Sequence, residues 1–137
     1  MVDPTVELVR VWLLKAHGDL HTAIQIGGLV DGHLDAGIYH CQQAAEKALK
    51  GYLLFHEVTF EKVHDLRKLI KQTETIEPGF QQYRDAAVVL TPYAAAYRYP
   101  GEFATLEPSR EEFDEAVRQA QAIHDFVLNL LPKEARP

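Results

Sequence analysis

Apolar residues recur every three or four positions near the start of the chain: Val6, Val9, Leu13, Ala16, Leu20, Ala23, Ile24 and Ile26. That spacing gathers them on one stripe of a helix and does not suit a strand, whose side chains change face at every residue. It predicts a helix from about Pro4 to Leu29, roughly 40 Å long at about 1.5 Å per residue. Pro4 suits a first turn, where its missing N–H has no acceptor to lose, and Gly27, Gly28 and Gly32 supply the exit. Trp12 is expected to pack sideways on the same helix.

A second stripe follows from about Leu34 to Phe55: Ile38, Cys41, Ala44, Ala45, Ala48, Leu49, Tyr52 and Leu53. Its small central residues allow a neighbouring helix to come close, and Gln42, Glu46, Lys47 and Lys50 fall outside the stripe. A third helix is expected to begin near His64, with Asp65 in its first turn, Leu66, Leu69 and Ile70 on its apolar side, and an end at Pro78-Gly79. His64 itself reads as a helix-start residue bonded to backbone. The fourth helix is expected over Phe80–Tyr99 with a kink at Pro92, and the fifth over Ser109–Leu131. Ser109 and Glu112 have the spacing of a capping box, and Phe113, Ala116, Val117, Ala120, Ile123, Val127 and Leu131 make the fifth stripe. No strand-like alternation competes. The stripes are buried most simply in an all-α, antiparallel up-and-down bundle of about five helices. One domain, residues 1–132, and a short tail, 133–137, account for the chain.

At 137 residues and 47% hydrophobic content the chain can bury one workable core. It holds no run of the roughly 20 apolar residues that a membrane-spanning helix needs. Met1 to Val9 includes Asp3, Pro4 and Glu7 instead of the basic and apolar stretches of a signal peptide, so the expected location is cytoplasmic. Cys41, the single cysteine, sits among alanines and reads as a small core residue. The formal charge of −6 means that a nucleic acid would have to bind locally. The most basic stretch, Lys47 to Lys71, is interrupted by Glu57, Glu61 and Asp65 and reads as a solvated face.

The segment "YAAAYRYPGE", residues 93–102, gathers Tyr93, Tyr97, Arg98 and Tyr99 at a helix tip closed by Pro-Gly. Packing explains part of this: Tyr99 leaves helical geometry before Pro100, Arg98 complements the helix C-terminus, and tyrosines cover the end of a core. The alternative is a binding site in which tyrosines stack on a base and Arg98 holds a phosphate. Taken in order, "IYHCQQAAEKALKGYLLF", "VHDLRKLI" and "YAAAYRYPGE" resemble the HEPN family, the higher-eukaryote and prokaryote nucleotide-binding domain. The resemblance spans the chain from the first helix to the fifth. It implies a helical bundle that forms a homodimer and is often paired with a small nucleotidyltransferase as a toxin–antitoxin couple. In many members it also implies metal-independent RNA cleavage by an arginine followed four to six residues later by a histidine.

Cleavage by the RNA's own 2′-hydroxyl needs a proton acceptor and donor, for which imidazole is suited, and a fixed cation beside the phosphate. Arg98 occupies the expected neighbourhood, but residues 99–105 contain no histidine. Arg118 with His124 and Arg10 with His17 also fit the spacing. With seven histidines present, chance supplies about one such pair. The candidate catalytic pair is therefore Arg98 with a distant histidine, His124 or else His64, and the candidate ligand-binding residues are Tyr93, Tyr97, Arg98 and Tyr99. "HGDLH" sets His17 and His21 at helical metal-site spacing, but the sequence offers no evident third ligand. The pair reads as a polar helix face, and neither a metal nor a cofactor is expected. Three functions compete. The first is a dimeric module that binds a nucleotide, RNA or a nucleotidyltransferase partner. The second is an endoribonuclease, and the third a purely structural oligomerisation unit. The first fits the acidic balance and the missing histidine.

Overall fold

The structure, a computed structural model, describes residues 3–60, 62–96 and 107–137, which hold six α-helices and no strand. Helix α1 is Pro4–Gly27; Asp3 caps it by accepting the Thr5 N–H at 2.8 Å. It ends two residues before the expected Leu29, where the Gly28 N–H is shared between the carbonyls of Ile24 and Gln25. Helix α2 is Leu34–Phe55, and its first N–H is capped from far along the chain, by Glu107 Oε1 at 3.0 Å. At its other end Glu57 takes a left-handed conformation, φ 56°. The N–H groups of Glu57 and Val58 then turn back to the carbonyls of Leu54 and Leu53, a Schellman closure built on a glutamate instead of the usual glycine.

That closure sends residues 56–60 and 62–65 back along α2. Phe60 meets Trp12 edge-on at 5.9 Å, so Trp12 packs on this returning segment and not sideways on its own helix. The His64 carbonyl accepts Gln42 Nε2 at 2.9 Å. Helix α3, Leu66–Glu74, therefore starts beside the middle of α2 and runs in the same direction. It begins two residues later than expected because Asp65 is its cap and not part of its first turn, accepting the Arg67 N–H at 3.0 Å.

The fourth expected helix is divided. Pro78–Tyr83 is a 3-10 turn, with the Glu77 carboxylate accepting the Gly79 N–H at 3.1 Å. Helix α4 is Arg84–Leu90, and α5 is Tyr93–Ala96. The break falls at Thr91-Pro92, where the Thr91 hydroxyl donates to the Ala87 carbonyl at 2.6 Å and accepts the Leu66 N–H at 3.1 Å. Proline removes a donor, and the preceding threonine uses its side chain to cap both α4 and α3. Helix α6, Arg110–Leu130, opens with the expected capping box: Ser109 Oγ accepts the Glu112 N–H at 3.0 Å and Glu112 Oε1 accepts the Ser109 N–H at 3.2 Å. Residues 133–137, expected as a tail, include a 3-10 turn, Lys133–Ala135, that buries Ala135, and Arg136 donates to the Leu131 carbonyl.

Helices α1, α2, α4–α5 and α6 alternate in direction. Leu13 near the start of α1 touches Gly51 near the end of α2, while Gly27 and Gly37 at the opposite ends both face Phe113 at the start of α6. At the other end of the bundle Phe126 packs on Phe80, which packs on Tyr52. The core between them includes Leu13, Leu49, Leu53, Leu66, Phe113 and Ile123. Cys41 lies in it, and burial pushes its thiol up to about 12, which keeps it protonated and inert at neutral pH.

Gly27 and Gly37 are small for a steric reason. A Cβ on either would stand 2.5 or 2.6 Å from the Phe113 ring. A Cβ on Gly18, also inside α1, would meet nothing within 4 Å among the described residues. The same substitution therefore has opposite signs at the two kinds of position. Gly18→Ala should stabilise the fold by about 0.5–1 kcal/mol through helix propensity, and Gly37→Ala should destabilise it by about 1–3 kcal/mol through overpacking. Urea unfolding of the two variants checks both signs.

Candidate functional site

Among the expected ligand-binding residues, Tyr93 is described and Tyr97, Arg98 and Tyr99 lie outside the described residues. Tyr93 is half-buried against the core. Burial raises its phenol above the ordinary range, helped by the charge of Glu112 and by Cys41. These neighbours place α5 at the end of the bundle where α2 and α6 begin. Glu107, which resumes the described chain, is at the same end through its bond to the Leu34 N–H.

His124 is 3% exposed. Its Nδ1 lies 3.3 Å from Asp125 Oδ1, and its Nε2 is buried with no hydrogen-bond partner among the described residues. Arg118, which shares its helix, is exposed and pairs with Glu115. The two do not face a common space. His124 instead lies beside His17 of α1, ring centres 5.9 Å apart, and His17 stacks at 6.4 Å on His21.

The sequence reading placed Gln42, Glu46 and Lys50 outside the buried stripe of α2, and the structure corrects this. Their positions, four residues apart, form a second, polar stripe that the returning segment covers through Phe60 and His64. The Glu46 side chain is 5% exposed and that of Lys50 7%. Glu46 accepts from Lys50 at 3.1 Å, from Gln42 at 3.2 Å and from His64 Nδ1 at 2.8 Å. Gln43 donates to Gln42 at 2.7 Å. His64 is thus held by a side chain and not by backbone, and its ring is half exposed. With Nδ1–H donating to the carboxylate, Nε2 is the nitrogen left for an external partner. On the other side of α2, Asp19 of α1 binds His40 at 2.8 Å and Lys47 at 2.6 Å, a second polar tie between helices.

Between α3 and α4 runs a groove of about 450 Å³, with Ile70 and Val88 in its wall and Arg67, Lys68, Lys71 and Arg84 around it. Two of these cations are committed. Arg67 grips Asp65, and Arg84 grips Glu74 with a second contact of 2.7 Å. Each arginine holds its carboxylate below the usual range. Such contributions are present above the ordinary carboxylate pKa and are lost as pH falls through the lowered value, and exposed pairs contribute little. His33, Asp35 and Glu107 bring three possible metal-ligand atoms within 4.8 Å of one another at the start of α2. No described helix is long and apolar enough to cross a membrane.

A sequence profile of the HEPN domain matches residues 9–130. The chain belongs to the HEPN family. Its fold is similar to the crystal structure of TT1696 from Thermus thermophilus, with a TM-score of 0.78 and 31% identity over 90% of this chain and 98% of that one. It is also similar to ST0689, an archaeal HEPN homologue, with a TM-score of 0.71 and 25% identity over 89% of this chain and 96% of that one. Among curated proteins none matches the sequence.

Within this HEPN chain, the stretches that carried the resemblance, "QQAAEKALK" and "HDL", supply the Glu46 network. That network anchors the segment on which α3 depends. Glu46→Gln should cost about 3 kcal/mol or more, because it leaves the Lys50 ammonium buried without its counter-charge. Adding Lys50→Met to that variant should recover a large part of the loss, since it removes the uncompensated charge. Denaturant unfolding of the single and double variants measures both effects.

Proposed function

We propose that this HEPN chain works as a dimeric nucleotide-binding or interaction module, paired with a small nucleotidyltransferase in a toxin–antitoxin-type system, and not as a nuclease built on Arg98 and His124. The observation that carries this reading is the burial of His124. A general acid–base must come within hydrogen-bond reach of the substrate, and this imidazole is covered at Nε2 while the residues after Arg98 supply no substitute. Arginine and tyrosines without a histidine retain the means to hold a phosphate and stack a base. Association is supported by α1, whose Leu8, Val11 and Leu14 are each about half exposed on one face.

A second reading is favoured by one feature, the His64 ring. Its Nδ1 is held by a buried carboxylate and its outer nitrogen is left for an external partner, which is how an acid–base imidazole is oriented. Metal-independent RNA cleavage on this reading depends on His64 and Arg98.

The deciding experiment incubates the pure chain with single-stranded RNA, with and without EDTA, beside Arg98→Ala and His64→Gln. The binding module predicts no cleavage above the level of Arg98→Ala. It also predicts that nucleotide affinity falls about tenfold in Arg98→Lys, which keeps the charge and loses the planar fork, at an unchanged melting temperature. EDTA-resistant cleavage lost in both Arg98→Ala and His64→Gln would establish the ribonuclease instead. Sedimentation at micromolar concentration should give a dimer, and a monomer would remove the modular reading.

A further inference from the structure

Three histidines lie together where α1 packs on α6, and the sequence shows only two of them as a pair. His17 and His21 are one helical turn apart on α1, both exposed, with rings nearly parallel at 11° and centres 6.4 Å apart. The third ligand missing from the sequence comes from the other end of the chain: His124 of α6, whose ring centre is 5.9 Å from that of His17. His124 is the buried member, and its Nε2 has no hydrogen-bond partner among the described residues. A buried ring nitrogen without a partner is unfavourable, so its presence calls for an explanation.

We propose that His17, His21 and His124 form a site for one divalent transition-metal ion of the zinc type, which fastens α1 to α6. Three neutral imidazoles are the donor set that zinc, cobalt, nickel and copper accept and that magnesium and calcium do not. Zinc takes His nitrogens at about 2.0–2.1 Å, which sets two imidazoles on one tetrahedral ion roughly 5 Å apart at their ring centres. The two observed separations exceed this by about 1 Å, and the ring nitrogens of the three histidines do not converge in the way the ligand atoms of His33, Asp35 and Glu107 do. His17 and His21 are exposed on one helix, so their side chains are free to turn toward an ion placed between them and His124. His124 is already fixed by packing and by Asp125, which stands at its Nδ1 as the carboxylate that orients a ligating imidazole.

The His33–Asp35–Glu107 cluster is the competing location. Its carboxylates are already in use, with Glu107 accepting the Leu34 N–H and Asp35 the Ala36 N–H, and it lies at the positive end of α2. Neither feature favours a cation.

The test uses the full chain without a histidine tag. Zinc binding is measured by competition with a chromophoric chelator, and cobalt is added separately to read its visible absorption. The expected result is one ion per chain at micromolar zinc and cobalt absorption of tetrahedral intensity. Zinc affinity should fall at least about tenfold in His17→Ala and in His21→Ala and be unchanged in Glu107→Gln. His124→Gln should also lose binding. Because His124 is buried, the two exposed variants decide the matter if His124→Gln does not fold. Absence of binding at micromolar zinc overturns the proposal. So does binding that survives His17→Ala and His21→Ala, or that is lost in Glu107→Gln.

Discussion

A single buried carboxylate organises the half of this molecule that its apolar stripes leave open. Glu46 sits inside α2 with almost no access to water and receives hydrogen bonds from Lys50, Gln42 and His64. An isolated buried charge of this kind is unfavourable, and it is tolerated here because a cation and two further donors surround it. The consequence is directional. His64 can satisfy Glu46 only if the chain after α2 returns along that helix, and that return starts α3 beside the middle of α2. The Thr91 hydroxyl then meets the first N–H of α3, which fixes where α4 ends. From there α5 brings Tyr93 to the end of the bundle at which α2 and α6 begin.

The apolar stripes dictate the other half. Phe113 enters between Gly27 and Gly37 at a distance no side chain could share, so the starts of α2 and α6 and the end of α1 meet at one ring. The two devices differ in kind. The phenylalanine contact is steric and sets how closely helices approach, whereas the Glu46 network is electrostatic and sets which segment covers which face. Together they bring both borders of residues 97–106 to the same end of the bundle, where Tyr93 and Glu107 are found.

Much of this was legible in the sequence because it is local. The period of α1, the capping box of α6 and a disturbance at Pro92, expected as a kink and found as a break, each depend on residues within a few positions of one another. The Glu46 network was not legible for the opposite reason. Gln42, Glu46 and Lys50 follow helical spacing, but polar residues at that spacing ordinarily face water, and their burial depends on a segment that returns through a left-handed Glu57. His124 illustrates the same limit. Its apolar neighbours Ile123 and Val127 marked the helix face, but nothing local indicated that its ring would be covered and would lie beside His17. A pattern of i, i+4 polar residues flanking an apolar stripe, followed by a histidine about 20 residues later, is the one signal that could have pointed to the network.

The most direct measurement is a double-mutant cycle between Glu46 and His64, read by urea unfolding of Glu46→Gln, His64→Ala and the double variant. A network in which the imidazole closes onto the buried carboxylate predicts a coupling energy of about 1 kcal/mol or more. Additive losses, with no coupling between the two positions, would mean that the returning segment is held by packing alone and would contradict the role assigned to Glu46.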